Sequence, residues 1–295
     1  MREQELLAHI SERSAGLRAA FPRVEVGPGD DCAVVEARDR VLLKVDQVVE
    51  GRHFTPGTPV DLIARKAVAR PVSDIAAMAG TPVAGLCAAV LPRGYADADA
   101  LFDACARWGR HFGCPLVGGD ISTADGPLVL SVTVMGDPHP TRGAVRRNGA
   151  RAGDLLYVTG ELGGSFGASG QGRHLTFEPR LKEARALADA LGEGLHAMMD
   201  LSDGLGIDAG RMAVASGVRL DLEARGFPAR DWRAALKDGE DHELLFAAAP
   251  SARVPEEVCG TPVTRVGVVV PGSGCWVLGP AGEVVEAGGM GWEHV

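Results

Sequence analysis

Ala197-Met198-Met199-Asp200-Leu201-Ser202-Asp203-Gly204-Leu205 joins an apolar run to a helix-patterned one through an acidic turn. Residues 197–201 are short and apolar, which predicts a buried strand, and 204–216 carry helical spacing. The unit is therefore strand, acidic loop, helix. Working outward, a strand at 155–159, a glycine loop and a helix near 180–192 precede it. Strands near 218–222, 243–248 and 263–269 follow, and the end of the chain is glycine-rich. The first half repeats the style. A helix is expected over 2–20, with Leu6, Leu7, Ile10 and Leu17 on one face. Gly27-Pro28-Gly29 breaks the chain, and β-rich runs follow at 32–36 and 41–45. Thr58-Pro59 reads as a helix start. The pattern that follows, from Leu62 to Met78, contains Pro71, which predicts a kink or a split into two helices. A strand at 84–91, a helix at 96–112 and strands near 115–118 and 127–136 complete the half. The polar segment 137–153, rich in Gly, Pro and Arg, predicts a boundary. The expected domains are 1–137 and 138–295. The class is α/β (α+β), in two halves of similar size.

Length agrees with two domains, since 295 residues is about twice a typical unit of ~150. The net charge of −9 argues against a nucleic-acid partner, which needs a basic face. Lysine is confined to Lys44, Lys66, Lys182 and Lys237. No apolar signal-peptide core follows Met1 and no run is long enough to span a bilayer, so no membrane association is expected. Six cysteines without a C-x-x-C pair indicate neither a zinc site nor a redox dithiol, and a reduced cytoplasmic setting is expected.

Aspartates recur beside Gly, Ser or a predicted strand end: Gly29-Asp30-Asp31, Lys44-Val45-Asp46, Val72-Ser73-Asp74, Gly118-Gly119-Asp120 and Asp200-Leu201-Ser202-Asp203-Gly204. Each alone reads as a turn or cap residue. Five together imply a cation, because clustered carboxylates are costly to bury uncompensated. Oxygen-only donors favour Mg²⁺ over softer metals, and Mg²⁺ held by carboxylates is the usual partner of nucleotide phosphates. The G-x-x-x-x-G-K-[ST] loop and the protein-kinase motifs are both absent.

In their order these segments resemble the thiamine-monophosphate kinase family, within the aminoimidazole ribonucleotide synthetase superfamily. The resemblance also rests on Val45 to Phe54, Lys66-Ala67-Val68-Ala69, Arg147-Asn148-Gly149-Ala150-Arg151-Ala152-Gly153-Asp154 and Tyr157-Val158-Thr159-Gly160. Gly239-Glu240-Asp241-His242-Glu243-Leu244 and Gly291-Trp292-Glu293-His294 complete it. It spans nearly the whole chain. It implies two α/β domains of the aminoimidazole ribonucleotide synthetase-like type, a homodimer paired through N-terminal domains, and ATP-dependent conversion of thiamine monophosphate to the diphosphate with several Mg²⁺ ions. By position, Asp30, Asp31, Asp46, Asp74, Asp120, Asp200 and Asp203 would hold metals, with Asp46, Asp120 and Asp203 central to catalysis. Gly119, Asp120, Arg147 and Ser202 would contact ATP. His53, Glu240 and Trp292 would line the thiamine site.

The chain departs from the family at several points. Lys44-Val45-Asp46 stands where the family has Ser/Thr-Thr-Asp, which removes two hydroxyls and sets a cation beside Asp46. Gly163-Gly164-Ser165 has one carboxylate fewer than the family's Gly-Asp-Ser. The family's closing Tyr-Asp-His-Phe is Trp292-Glu293-His294-Val295 here. These changes leave two alternatives open: a kinase for another small phosphorylated metabolite, and a non-catalytic nucleotide-binding homologue.

Overall fold

The computed structural model describes residues 9–10, 12–14, 16–26 and 33–292. The chain divides into two compact units, the first comprising 1–75, 81–138 and 175–177 and the second 76–80, 139–174 and 178–295.

In the first unit a helix, α1 (Leu17–Ala20), precedes a two-stranded antiparallel ladder of β1 (Val24–Val26) and β2 (Val34–Val35). Of the helix expected over 2–20, residues 2–8, 11 and 15 lie outside the described residues, and 9–10, 12–13 and 17–20 are helical, with turns at 14 and 16. The main sheet has the order β3-β6-β4-β5, from β3 (Leu42–Val49), β4 (Thr81–Pro92), β5 (Leu116–Ala124) and β6 (Val129–Asp137). The β4–β5 pair is parallel and the other two pairs are antiparallel. A parallel pair needs a crossover, and α3 (Ala98–His111) supplies it. Alternation along β3 turns Leu43, Val45 and Gln47 to solvent, while Lys44, Asp46 and Val48 face the other way.

The helix α2 (Val60–Ala77) runs unbroken through Pro71, so the split expected there does not occur. Proline removes one backbone hydrogen bond and costs about 3 kcal/mol inside a helix. The surrounding turns bury Ala67, Val68, Ala69, Val72, Ile75 and Ala76 almost completely. Burial at roughly 25 cal/mol per Å² over so many side chains outweighs one lost bond.

The second unit is built on one sheet of order β14-β13-β9-β12-β7-β10-β8, with β11 (Glu257–Val258) paired to β12. Its other strands are β7 (Leu155–Thr159), β8 (Leu195–Leu201), β9 (Arg219–Glu223), β10 (Glu243–Ala248), β12 (Thr261–Val270), β13 (Gly274–Leu278) and β14 (Val284–Glu286). Every residue of β10 is buried. Its side chains divide between two cores, as the period of two requires. Leu245 and Ala247 join Leu205, Ala209 and Met212 of α5 (Leu205–Ser216). Leu244 and Phe246 join Ala184, Leu187 and Ala188 of α4 (Leu181–Leu191). Helices therefore cover both faces of the sheet. The short helix α6 (Trp232–Lys237) and the strands β13 and β14 have no counterpart in the expected elements. Among the described residues no helix is long and apolar enough to cross a membrane.

Candidate functional site

In the first unit, β3 and α2 bring two expected residues together. Lys44 Nζ lies 3.4 Å from Asp46 Oδ1 and 3.0 Å from Asp74 Oδ1, so one ammonium joins both carboxylates. Lys44 and Asp46 share a face of β3 because they are two residues apart. His53 sits in the tight turn after β3, where its Nδ1 accepts the N–H of Val49 at 3.0 Å. The neutral ring therefore carries its proton on Nε2. Behind it, the fully buried Lys66 donates from Nζ to the His53 carbonyl at 2.6 Å.

Asp120 is placed differently. Asp46 is in register with Val132, Cys87 and Gly119 across the sheet, whereas Asp120 is in register with Ala88, Ser131 and Gln47. These are adjacent rows on strands at opposite edges, so within this unit Asp120 is not gathered with Asp46 and Asp74. Gly119 has a packing reason of its own, because a Cβ there would fall 1.8 Å from the Cys87 carbonyl oxygen. Asp30 and Asp31 lie outside the described residues.

The second unit assembles five expected residues around the loop between β8 and α5. The Glu240 N–H donates to the Ser202 carbonyl at 2.7 Å, and the Trp292 N–H donates to the Asp203 carbonyl at 2.9 Å. His242 lies between acids, with Nδ1 3.5 Å from Asp200 Oδ2 and Nε2 3.4 Å from Glu240 Oε2. Burial pulls the pKa of His242 down. Hydrogen bonds to Asp200 and Glu240, and their charges, outweigh it and raise the pKa to about 9. Glu240 and His242 both hold positive φ, at 64° and 52°. Such strain in side-chain-bearing residues persists only where the surroundings enforce it.

The loop itself is fixed from below by Asp208. Its Oδ2 accepts the N–H groups of Ser202 and Asp203 at 3.0 and 2.9 Å. Arg211 then donates to Asp203 Oδ2 at 2.5 Å and to Asp208 Oδ1 at 2.7 Å. Burial lifts the Asp208 pKa to about 7, assisted by the charges of Asp203 and Asp200 and opposed by the Asp203 N–H and Arg211. Next to Glu240, Asp241 is held by the Gly163 N–H at 2.8 Å and by Arg173 Nη2 at 2.6 Å. Its pKa is lifted by burial to about 6.

Arg147 stands apart. It is exposed, and its carbonyl accepts from Ser216 Oγ at 3.0 Å. Ser216 ends α5, whose 12 residues put it roughly 16 Å from the Asp203 end. The residues that sequence reasoning passed over are Lys66, Asp208, Arg211 and His242. His242 lay inside the segment Gly239-Glu240-Asp241-His242 and was readable there. Asp208 and Arg211 look like ordinary helix-surface charges in sequence.

Among the described residues no three His, Cys, Asp or Glu side chains are grouped closely enough to hold a metal ion. The donors at hand still fit a hard divalent ion in kind. They are carboxylates, and the Asp46–Asp74 pair is arranged about a positive charge.

Residues 29–137 match the N-terminal domain, and residues 151–275 the C-terminal domain, of the AIR synthase related proteins. The fold and its acidic loops are those of this two-domain class. The curated thiamine-monophosphate kinase of Rhodopirellula baltica is 38% identical over 301 residues, covering 93% of this chain and 91% of its own. That of Escherichia coli K12 is 32% identical over 334 residues, covering 99% and 98%. The crystal structure of the Stenotrophomonas maltophilia thiamine-monophosphate kinase superposes with a TM-score of 0.80 at 29% identity, over 97% of this chain and 98% of its own. AaThiL, complexed with AMPPCP and TMP, superposes with a TM-score of 0.74 at 26% identity, covering 100% and 99%. The chain belongs to the thiamine-monophosphate kinase family.

Proposed function

We propose that this chain transfers the γ-phosphoryl group of ATP to the phosphate of thiamine monophosphate, giving thiamine diphosphate, with Mg²⁺ held by its aspartates. Family membership supports the reaction, and a relative crystallised with AMPPCP and TMP supports the pair of substrates. The observation that carries the site assignment is the gathering of Asp200, Ser202, Asp203, Glu240 and Trp292 at one loop junction of the second unit.

Asp46 with Asp74, Asp120, and Asp200 with Asp203 would each, as separate groups, help to hold Mg²⁺, as would Asp30 and Asp31. A bound divalent ion neutralises phosphate charge, so that two polyanions can approach in line. The protein's task is to position groups, because phosphoryl transfer asks little covalent chemistry of it. Asp46, Asp120 and Asp203 are the residues on which turnover depends. Ser202, whose N–H is held by Asp208, would contact the nucleotide, and Gly119, Asp120 and Arg147 are the other residues expected to do so. Glu240 supplies a negative charge and Trp292 a half-exposed ring, a combination suited to the cationic thiazolium of thiamine. His53 would line the thiamine site from the turn after β3, where its Nδ1 is held by the Val49 N–H.

A homodimer through the first unit's sheet belongs to the same reading. Leu43, Val45, Leu86 and Val90 form an exposed apolar face there, with Leu43 71% and Val45 56% exposed.

Thermal unfolding tests the proposal. Mg²⁺ with AMPPCP should raise Tm, and adding thiamine monophosphate should raise it further by mass action. A nucleotide response with no second response would leave the scaffold as a kinase for another acceptor or as a nucleotide-binding homologue.

A further inference from the structure

We propose that Lys44 Nζ is a tethered cation that takes the place of one divalent ion between Asp46 and Asp74. This rests on the reading that these aspartates face nucleotide or substrate phosphates. Its nitrogen lies 3.0 Å from Asp74 Oδ1 and 3.4 Å from Asp46 Oδ1, which is hydrogen-bonding and ion-pair distance to acids on two different elements. Side-chain exposures of 33% for Lys44, 18% for Asp46 and 26% for Asp74 show a partly desolvated triad that still faces water on one side. An ion bridging the same two oxygens needs contacts of about 2.0–2.1 Å to each. It would have to enter the space the ammonium fills, against a like charge.

The lysine is not free to leave that space without breaking both pairs. Its stem rises from β3 on the same face as Asp46, and it is rooted only two residues away. Val45 cannot supply a replacement ligand, because it is apolar and points to the exposed face of the sheet. The ammonium brings one positive charge to these two carboxylates, half of what a divalent ion would bring. The pair as built therefore presents an ammonium where a metal would otherwise be required, and the chain binds one metal ion fewer.

The experiment counts ions. Bound Mn²⁺ per chain is measured by electron paramagnetic resonance in the presence of AMPPCP, for the wild type, Lys44→Met, Lys44→Gln and Lys44→Arg. Lys44→Met should bind one more Mn²⁺ than the wild type, and Lys44→Arg the same number. Equal counts for Lys44→Met and the wild type overturn the proposal. Should Lys44→Met fail to fold, Lys44→Gln decides in its place: one more Mn²⁺ than the wild type supports Lys44 as the cation, and an equal count overturns it. Formation of thiamine diphosphate by the wild type is followed in the same preparation. It tests the kinase reading separately, and the ion count reads Lys44 whichever way that assay falls.

Discussion

Asp208 holds Ser202 by accepting its backbone N–H at 3.0 Å, from a carboxylate that is itself fully buried. A second N–H, from Asp203, reaches the same oxygen, so one side chain fixes the loop that carries three of the expected site residues. Asp208→Ala leaves both donors unpaired. The expected loss is roughly 2–4 kcal/mol, at ~1–3 kcal/mol per unsatisfied buried group and less the relief of a buried carboxylate. Urea unfolding measures it. The KM for ATP should rise at least tenfold, and an unchanged KM would remove Asp208 from the positioning of the loop.

Asp241 gives a pH dependence whose sign is fixed by burial. Its pKa in the folded chain is raised to about 6, whereas an unfolded aspartate titrates near ~3.9. The folded state thus holds a proton that the unfolded state releases first. The resulting stabilisation is full below about pH 4 and is lost as pH rises through about 6, amounting to roughly 3 kcal/mol. Asp241→Asn lacks this slope. Its Tm difference from the wild type, measured at pH 4.5 and 7.5, should shift in favour of the variant at the higher pH. A difference constant with pH would contradict the raised pKa.

Gly118 and Gly119 are adjacent and should respond unequally to alanine. At Gly119 the new methyl meets the backbone carbonyl of Cys87 at 1.8 Å, and neither strand can yield without opening the β4–β5 pair. At Gly118 it meets only a Leu86 methyl at 3.2 Å, which can turn aside. Overpacking of the first kind costs about 3 kcal/mol or more, and of the second well under that. Differential scanning fluorimetry on the two variants should rank them in that order.

Leu43→Glu with Val45→Glu places two charges on the exposed apolar face of the first sheet. Sedimentation velocity should show a dimer for the wild type and a monomer for the double variant. A dimer that survives both charges places the interface elsewhere.

The elements with strong periodicity were readable from sequence. Residues 155–159 and 243–248 are strands with those bounds, and the acidic turn at 200–204 leads from β8 into α5 as its pattern demanded. The split at Pro71 does not occur, because local propensity says nothing about how deeply a helix is buried. The strands β13 and β14 were hidden in a glycine-rich tail, where the pairing of β13 with β9 and of β14 with β13, rather than side-chain pattern, defines them. At the site, the identities of Asp46, Asp74, Asp200 and Glu240 were legible as motifs. Their partners were not, because the Lys44 bridge and the His242 sandwich depend on contacts between residues separated by a helix or a strand. The register that sets Asp120 in a different row from Asp46 is likewise a property of the folded sheet.

The central claim is that the aspartates serve phosphoryl transfer from ATP to thiamine monophosphate. The most direct measurement incubates the wild type, Asp46→Asn, Asp120→Asn and Asp203→Asn with ATP, Mg²⁺ and thiamine monophosphate. Thiamine diphosphate is followed by oxidation to its thiochrome and chromatography. Product from the wild type should depend on both ATP and Mg²⁺, and each variant should lose at least 100-fold in kcat, on the order of 3 kcal/mol, while keeping its thermal transition. No product from a folded, nucleotide-binding wild type, or undiminished turnover in the variants, would contradict the account.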